Sequence, residues 1–213
     1  IHAIQSVPPS NINRDDTGSP KTAQYGGVTR ARVSSQSWKR AIREYFNENS
    51  GESNVGYRTL DIVRIIADKI EQIDSSKEES SMELAEKAIN AVKIKTKDQK
   101  AKALFFLGED QANKIAQMAV AGNFDKKELN EVLKSNPAID IALFGRMVAD
   151  DPSLNEDASS QVAHSISTHA VQTEFDFFTA VDDLAPEDNA GAGMLGTIEY
   201  NSCLIYTSDA ADE

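Results

Sequence analysis

Apolar and polar positions alternate near both ends of the chain and recur with helical spacing between them. Across Thr29-Arg30-Ala31-Arg32-Val33 the period is two, which puts Arg30, Arg32 and Ser34 on one side of a strand and Ala31 and Val33 on the other. The period then changes. Ser34 or Ser35 can cap a helix in which Gln36, Lys39, Arg40 and Arg43 follow i, i+3, i+4, i+7 spacing, with Trp38, Ala41, Ile42 and Tyr45 as the opposite apolar stripe. Before this element, residues 1–6 read as a strand ended by Pro8-Pro9-Ser10, and residues 11–27 as a long polar loop. Gly26-Gly27 suits a tight hairpin turn or close approach of a ligand.

Residues 57–133 read as mostly helical. Leu60, Val63, Ala67, Ile70 and Ile73 make one stripe, and Met82, Ala85, Ala88, Ile89 and Val92 a second. Residues 104–107 and 115–120 supply short buried runs, and residues 74–81 a charged, serine-rich linker. After Asn136-Pro137 an apolar run occupies 139–148, residues 162–178 read as extended or mixed, and Asp182-Asp183-Leu184 with the glycine-rich 189–193 suggest a hairpin arm. Strand, loop, basic strand and helix, helical block, strand and arm together predict an α+β domain with a helical insertion.

Charge sharpens this picture. The chain carries −12 at pH 7, yet residues 1–43 hold seven of its 22 basic side chains and only two of its 34 acids. Any polyanion site is therefore local, and it falls on Arg14, Lys21, Arg30, Arg32, Lys39, Arg40 and Arg43. A solvated helix face is the ordinary reading of such a stripe; a phosphate-binding surface is the functional one.

Composition excludes several classes. With 213 residues and 40% hydrophobic content the chain has ample material for a core. A single cysteine, Cys203, excludes an internal disulfide framework and a cysteine-based zinc cluster and fits a reducing, cytoplasmic compartment. No apolar run approaches the roughly 20 residues of a membrane span, so no membrane partner is expected. Two features suggest cut ends. The chain opens at Ile1 inside an apparent strand, and from about residue 202 the text through Cys203-Leu204-Ile205-Tyr206-Thr207-Ser208 to Glu213 resembles a translated sequencing adapter, so residues 202–213 are expected to be non-native.

Catalytic chemistry is not legible. His2, His164 and His169 show no metal spacing; the last two lie five apart in HSISTH without the carboxylate that a helical zinc motif needs, and read as structural or hydrogen-bonding histidines. There is no phosphate-cradling G-x-x-x-x-G-K-[ST] loop and no glycine-flanked nucleophilic serine. Asp15-Asp16 and Asp182-Asp183 are adjacent acids of the kind that cap turns. No catalytic residue, metal or cofactor is expected.

Several segments in order then resemble one family: residues 1–27 with NRDD, RARVSSQSWKRAIR at 30–43, DIALFGRM at 140–147, QVAHSISTHAV at 161–171, DFFTAVDDL at 176–184 and LGTIEY at 195–200. They are similar to the RNA-binding backbone subunit, the CasC type, of the type I-E CRISPR Cascade complex. The block from about 60 to 135 matches only in character. The resemblance implies a modified RNA-recognition-motif (ferredoxin-like) palm, incomplete at both ends, with a helical fingers insertion and a β-hairpin thumb. It divides the chain into palm (1–56), fingers (57–138), a return segment (139–181) and the start of the thumb (182–201).

It also implies a noncatalytic scaffold. Copies of the subunit would line up along one guide RNA (crRNA) with other Cascade subunits and present the guide for pairing with target DNA. Contacts would go to phosphates and sugars so that bases stay free. On that pattern Ser34, Gln36, Lys39, Arg40 and Arg43, with Arg14 and Lys21 in the loop, fall where guide contacts are expected, and Arg146 and Met147 lie near a displaced base. Two alternatives stand beside this: an RNA-guided endoribonuclease using Asp15 or Asp16, and an acidic protein-interaction module whose basic face docks a partner.

Overall fold

The computed structural model describes residues 2–49, 54–180, 184 and 194–208. The pair Asp182-Asp183 and the glycine-rich 189–193, expected in the arm, lie outside them. In chain order the elements are β1 (His2–Ser10), β2 (Thr22–Tyr25), β3 (Val28–Val33), α1 (Ser35–Asn49), β4 (Gly56–Thr59), α2 (Ile62–Ile73), a 3₁₀ turn (Ser75–Ser80) and α3 (Ser81–Ala91). Then follow β5 (Thr96–Lys97), β6 (Lys100–Ala101), β7 (Phe105–Gly108), α4 (Glu109–Val120), α5 (Lys126–Lys134), α6 (Ile139–Phe144), a second 3₁₀ turn (Pro152–Leu154), β8 (Ser165–Ser167), β9 (Glu174–Ala180) and β10 (Met194–Ser208). The fold is mixed α+β with antiparallel sheets. Two compact units divide it, one of Ile1–Ala41 with Val162–Glu213 and one of Ile42–Gln161.

The first unit is a six-stranded sheet in the order β1-β10-β8-β3-β2, with β9 also paired to β10. Its hairpin β2–β3 closes between Tyr25 and Val28 through Gly26 (φ 66°) and Gly27 (φ 78°), a two-residue turn whose positive φ values favour glycine. β1 does not stop at the prolines as expected. It runs to Ser10, and its register slips between Val7 and Ser10, where Pro8 and Pro9 have no N–H to give the ladder. β10 pairs with β9 over Met194–Tyr200 and with β1 from Asn201 to Ser208. The tail expected to be non-native thus enters the sheet. Leu-Ile-Tyr-Thr has high strand propensity whatever its origin, so the pairing says nothing of where the segment came from. Behind the strands, Ala31, Val33 and Val171 are buried with Val7 and Trp38 against them.

The second unit is built on helices. In α2 the buried face is Ile62, Val63, Ile66, Ala67 and Ile70. It shares a core with Ala85, Ala88 and Ile89 of α3, Leu107 of β7, Ile115 and Ala116 of α4, and Leu129 and Leu133 of α5. Two small ladders, β4–β7 and β5–β6, lie in and beside the block that the sequence suggested was mostly helical. The expected boundaries at 57 and 139 fall inside this unit.

Candidate nucleic-acid interface

In β3 the period of two puts Ala31 and Val33 inside and leaves Arg30 and Arg32 half-exposed. Both guanidinium groups lie along the hairpin because backbone carbonyls hold them. Arg30 Nε donates to the Tyr25 carbonyl (3.1 Å) and Nη1 to that of Ser167 (2.8 Å), with Cζ 5.9 Å from the Tyr25 ring centroid; Arg32 Nε donates to the Thr22 carbonyl (3.1 Å). A guanidinium has five donors, so one or two tethers orient it and leave N–H groups to spare for phosphate.

Ser34 has another task than the one expected beside these arginines. It is 2% exposed, its N–H donates to Asn13 Oδ1 (2.9 Å), and its hydroxyl accepts the Ser37 N–H (3.3 Å). It is the N-cap of α1, which settles the choice between Ser34 and Ser35. Beyond the cap, Gln36 and Arg40 are exposed and Lys39 is half-buried. The opposite stripe packs less than its pattern implied. Trp38 and Ile42 are half-buried, Ala41 and Tyr45 are exposed, and no residue of α1 is fully buried.

The preceding loop is ordered by Asp15. One carboxylate oxygen, Oδ1, accepts the Thr17 hydroxyl (2.7 Å) and the N–H groups of Thr17 (2.9 Å) and Ser19 (3.0 Å). The Thr17 hydroxyl is the main reason the Asp15 carboxyl titrates below its ordinary value; desolvation opposes it, and the backbone N–H bonds add to the lowering. Exposed Arg14 bridges to Pro20 across this loop and lines a polar cleft of about 350 Å³ with Asn11, Thr17, Ser19, Thr197 and Glu199. Lys21 is half-buried, and its carbonyl accepts the Arg32 N–H at 2.9 Å.

In the helical unit the remaining candidates are placed differently. Arg43 Nε meets Asp140 Oδ2 at 2.9 Å, its Nη2 donates to the Gly56 carbonyl (3.2 Å), and its Cζ lies 4.4 Å from the Phe106 centroid. Asp140 is fully buried and its other oxygen takes the Gly56 N–H at 2.9 Å. This arginine is committed to a buried carboxylate. Arg146 is 5% exposed; Nε donates to the Leu154 carbonyl (3.0 Å), Nη2 to that of Leu133 (2.8 Å), and Nη1 to the Phe106 carbonyl (3.2 Å) and Gln111 Oε1 (3.4 Å). Burial pushes its pKa below the ordinary arginine value, opposed by nearby Glu156. Gly145 (φ 78°) ends α6 with the turn that sends Arg146 inward, and a Cβ there would sit 2.9 Å from the Glu156 carbonyl oxygen. Met147, the next residue, is 83% exposed.

Sequence reasoning missed what holds the basic elements. Ser165 and Ser167 of β8 are 0% and 1% exposed, the first accepting Trp38 Nε1–H at 2.7 Å and the second the Ala31 N–H at 3.1 Å. His164 and His169, read as hydrogen-bonding, bond to the Ser35 N–H (2.9 Å) and the Ser202 carbonyl (3.2 Å). Serines at alternate positions in a strand were the available signal. Among the described residues no group of three or more His, Cys, Asp or Glu could hold a metal, and no helix is long and apolar enough to cross a membrane.

Comparison with known proteins gives a consistent result. Residues 1–211 match the family described as CT1975-like protein. One chain of a solved CRISPR RNA-guided surveillance complex, pre-nicking, is 35% identical with a TM-score of 0.74, over 96% of this chain and 62% of that one. A chain of a second CRISPR RNA-guided surveillance complex is 31% identical with a TM-score of 0.62, over 97% of this chain and 62% of that one. The chain therefore spans a little under two thirds of the length of these relatives. Among curated proteins no match is found.

Proposed function

The chain belongs to the CT1975-like protein family, and from that premise we propose that it is a noncatalytic guide-RNA scaffold, the CasC-type backbone subunit of a type I-E Cascade surveillance complex. The observation that carries the reading is the paired basic element of the sheet unit. Arg30 and Arg32 are tethered along β3, and Gln36, Lys39 and Arg40 follow on the first turns of α1, within an otherwise acidic chain. These groups offer charge and N–H donors without a shaped pocket for a base, the chemistry of a protein that must hold any guide sequence.

The Arg14 cleft adds a second cationic point in the same unit. Head-to-tail copies along the guide would repeat this surface, and target DNA would be met through the guide's own bases. An enzyme reading would rest on Asp15 or Asp16; at Asp15 the hydrogen bonds that Oδ1 accepts from Thr17 and Ser19 support a loop-ordering role instead.

The test is to purify the full-length gene product with its neighbouring Cascade subunits and a guide array, and to extract and sequence the bound nucleic acid. Wild type is expected to carry guide-length RNA. Lys39→Ala with Arg40→Ala should weaken binding about equally for every guide and lower the salt slope by roughly 0.7 for each single-strand phosphate that is no longer neutralised. Arg43 is left intact because its guanidinium is engaged by Asp140. Complex formation without RNA would return the basic face to protein docking.

A further inference from the structure

Residues 164–167 reach both basic elements of the sheet unit. Backbone pairing joins Ile166 to Arg32 and Ser165 to Val33, and the Ser167 carbonyl and hydroxyl take Arg30 Nη1 (2.8 Å) and the Ala31 N–H (3.1 Å). The strand is thus held by its ladder. The helix is held otherwise. No residue of α1 is fully buried; half-buried Trp38 packs against Ala31, Val33 and Val171, and polar bonds share in setting the N-terminal position of the helix. Its start is defined by the Ser34 cap, by Trp38 Nε1–H on Ser165 Oγ (2.7 Å), and by the Ser35 N–H on His164 Nδ1 (2.9 Å).

The last of these bonds is chemically selective. Ser35 is the first residue of α1, and its N–H has no intrahelical acceptor. An imidazole can accept it only through an unprotonated Nδ1, which leaves Nε2 as the protonated ring nitrogen. The acceptor comes from 129 residues away in sequence, so the bond ties the start of the helix to the strand that also orients Arg30.

We propose that His164 is a positioning residue for the guide-RNA surface: without touching RNA, it clasps the first turn of α1 so that Gln36, Lys39 and Arg40 stand in register with Arg30 and Arg32 along the phosphates. This rests on the guide-RNA reading above. Three substitutions separate it from its rivals. Asparagine sets a side-chain oxygen near the place of Nδ1 and can restore the bond. Glutamine sets its acceptor one bond further out, where Nε2 lies, and cannot. Arginine supplies a cation and no acceptor, so it would serve a direct phosphate contact and fail as a clasp.

The experiment uses the full-length subunit assembled with its complex. It measures guide-RNA affinity, its salt slope, the melting midpoint and peptide-level hydrogen exchange across residues 33–38 for wild type, His164→Asn, His164→Gln and His164→Arg. His164→Gln and His164→Arg are expected to weaken RNA binding by about three- to tenfold, the span of one net hydrogen bond, to lower the salt slope and to lose protection at the start of α1. His164→Asn should stay within about twofold of wild type on every readout. Tight binding by His164→Arg would overturn the proposal in favour of a direct charge contact, and His164→Asn as weak as His164→Gln would show that the Nδ1 bond is not what matters. Equal binding by all four proteins would remove the clasp and leave the guide-RNA reading standing; a wild-type complex without RNA would remove both.

Discussion

The helical unit and the sheet unit hold themselves together by different means, and their arginines do opposite work. Among the described residues, the helical unit has a cluster of 21 buried apolar residues and a smaller one of Phe106, Ala138 and Ile141, while the cluster in the sheet unit is Ala31, Val33 and Val171. Where apolar burial is plentiful it can carry the cost of enclosing a cation, and Arg146 is enclosed, bonded to three carbonyls. Where it is scarce, polar bonds from Ser165, Ser167, Asn13 and His164 set the geometry, and the cations remain at the surface. Charge alone therefore does not identify a ligand site. The same residue type is scaffold in one unit and candidate interface in the other.

The sharpest way to break this comparison is at Arg146. Arg146→Met should cost on the order of 3 kcal/mol, because the Phe106 and Leu154 carbonyls lose their guanidinium donors in a closed interior while Leu133 keeps its bond from Gln111. The urea midpoint reads the loss, and RNA affinity of the folded fraction should not change. An unchanged midpoint with RNA binding abolished would make Arg146 an interface residue after all.

A smaller effect tests the other side. Ser165→Ala leaves Trp38 Nε1–H without its 2.7 Å acceptor at a position that is 0% exposed. It should cost about 1 kcal/mol by thermal melting, large for the removal of one oxygen atom. No measurable cost would mean that the sheet unit does not depend on its polar bonds, and the contrast between the units would narrow to core size alone.

How legible each unit was follows from the same contrast. Helical stripes announce themselves, and Val63, Ala67, Ile70, Ala85, Ala88 and Ile89 are buried as their spacing predicts. Leu60 and Ile73 belonged to the same pattern but are 37% and 46% exposed, since Leu60 precedes the helix and Ile73 is its last residue. The ladder β5–β6 was invisible. It has two residues a side and turns at Asp98 and Gln99, both with positive φ and neither a glycine. At the candidate site, alternation located Arg30 and Arg32 and helical spacing located Gln36, Lys39 and Arg40. Their anchors could not be read this way, because bonds such as Ser35 to His164 depend on tertiary placement rather than local period. For Arg43 and Arg146 local pattern conveys charge without depth, and their buried partners decide what they do.

The smallest predicted effect concerns Asp15, the acid that orders the loop carrying Arg14. Its carboxylate is favoured chiefly by the Thr17 hydroxyl and then by backbone N–H groups, so its folded-state pKa lies below the ordinary carboxylate value of about 3.9. For a depressed carboxyl, the stabilisation is fully present above the unfolded value and is lost as pH falls through the folded one. Loop order should therefore be constant at neutral pH and fail only in acid. Following the Asp15 carboxyl and the Thr17 and Ser19 amides by NMR from neutral to strongly acid pH should show the three titrating together, and Asp15→Asn should remove that shared transition. A carboxyl that titrates at or above the ordinary value would mean that these bonds do not order the loop. Arg14 would then lose its claim to a fixed place in the sheet unit's polar frame.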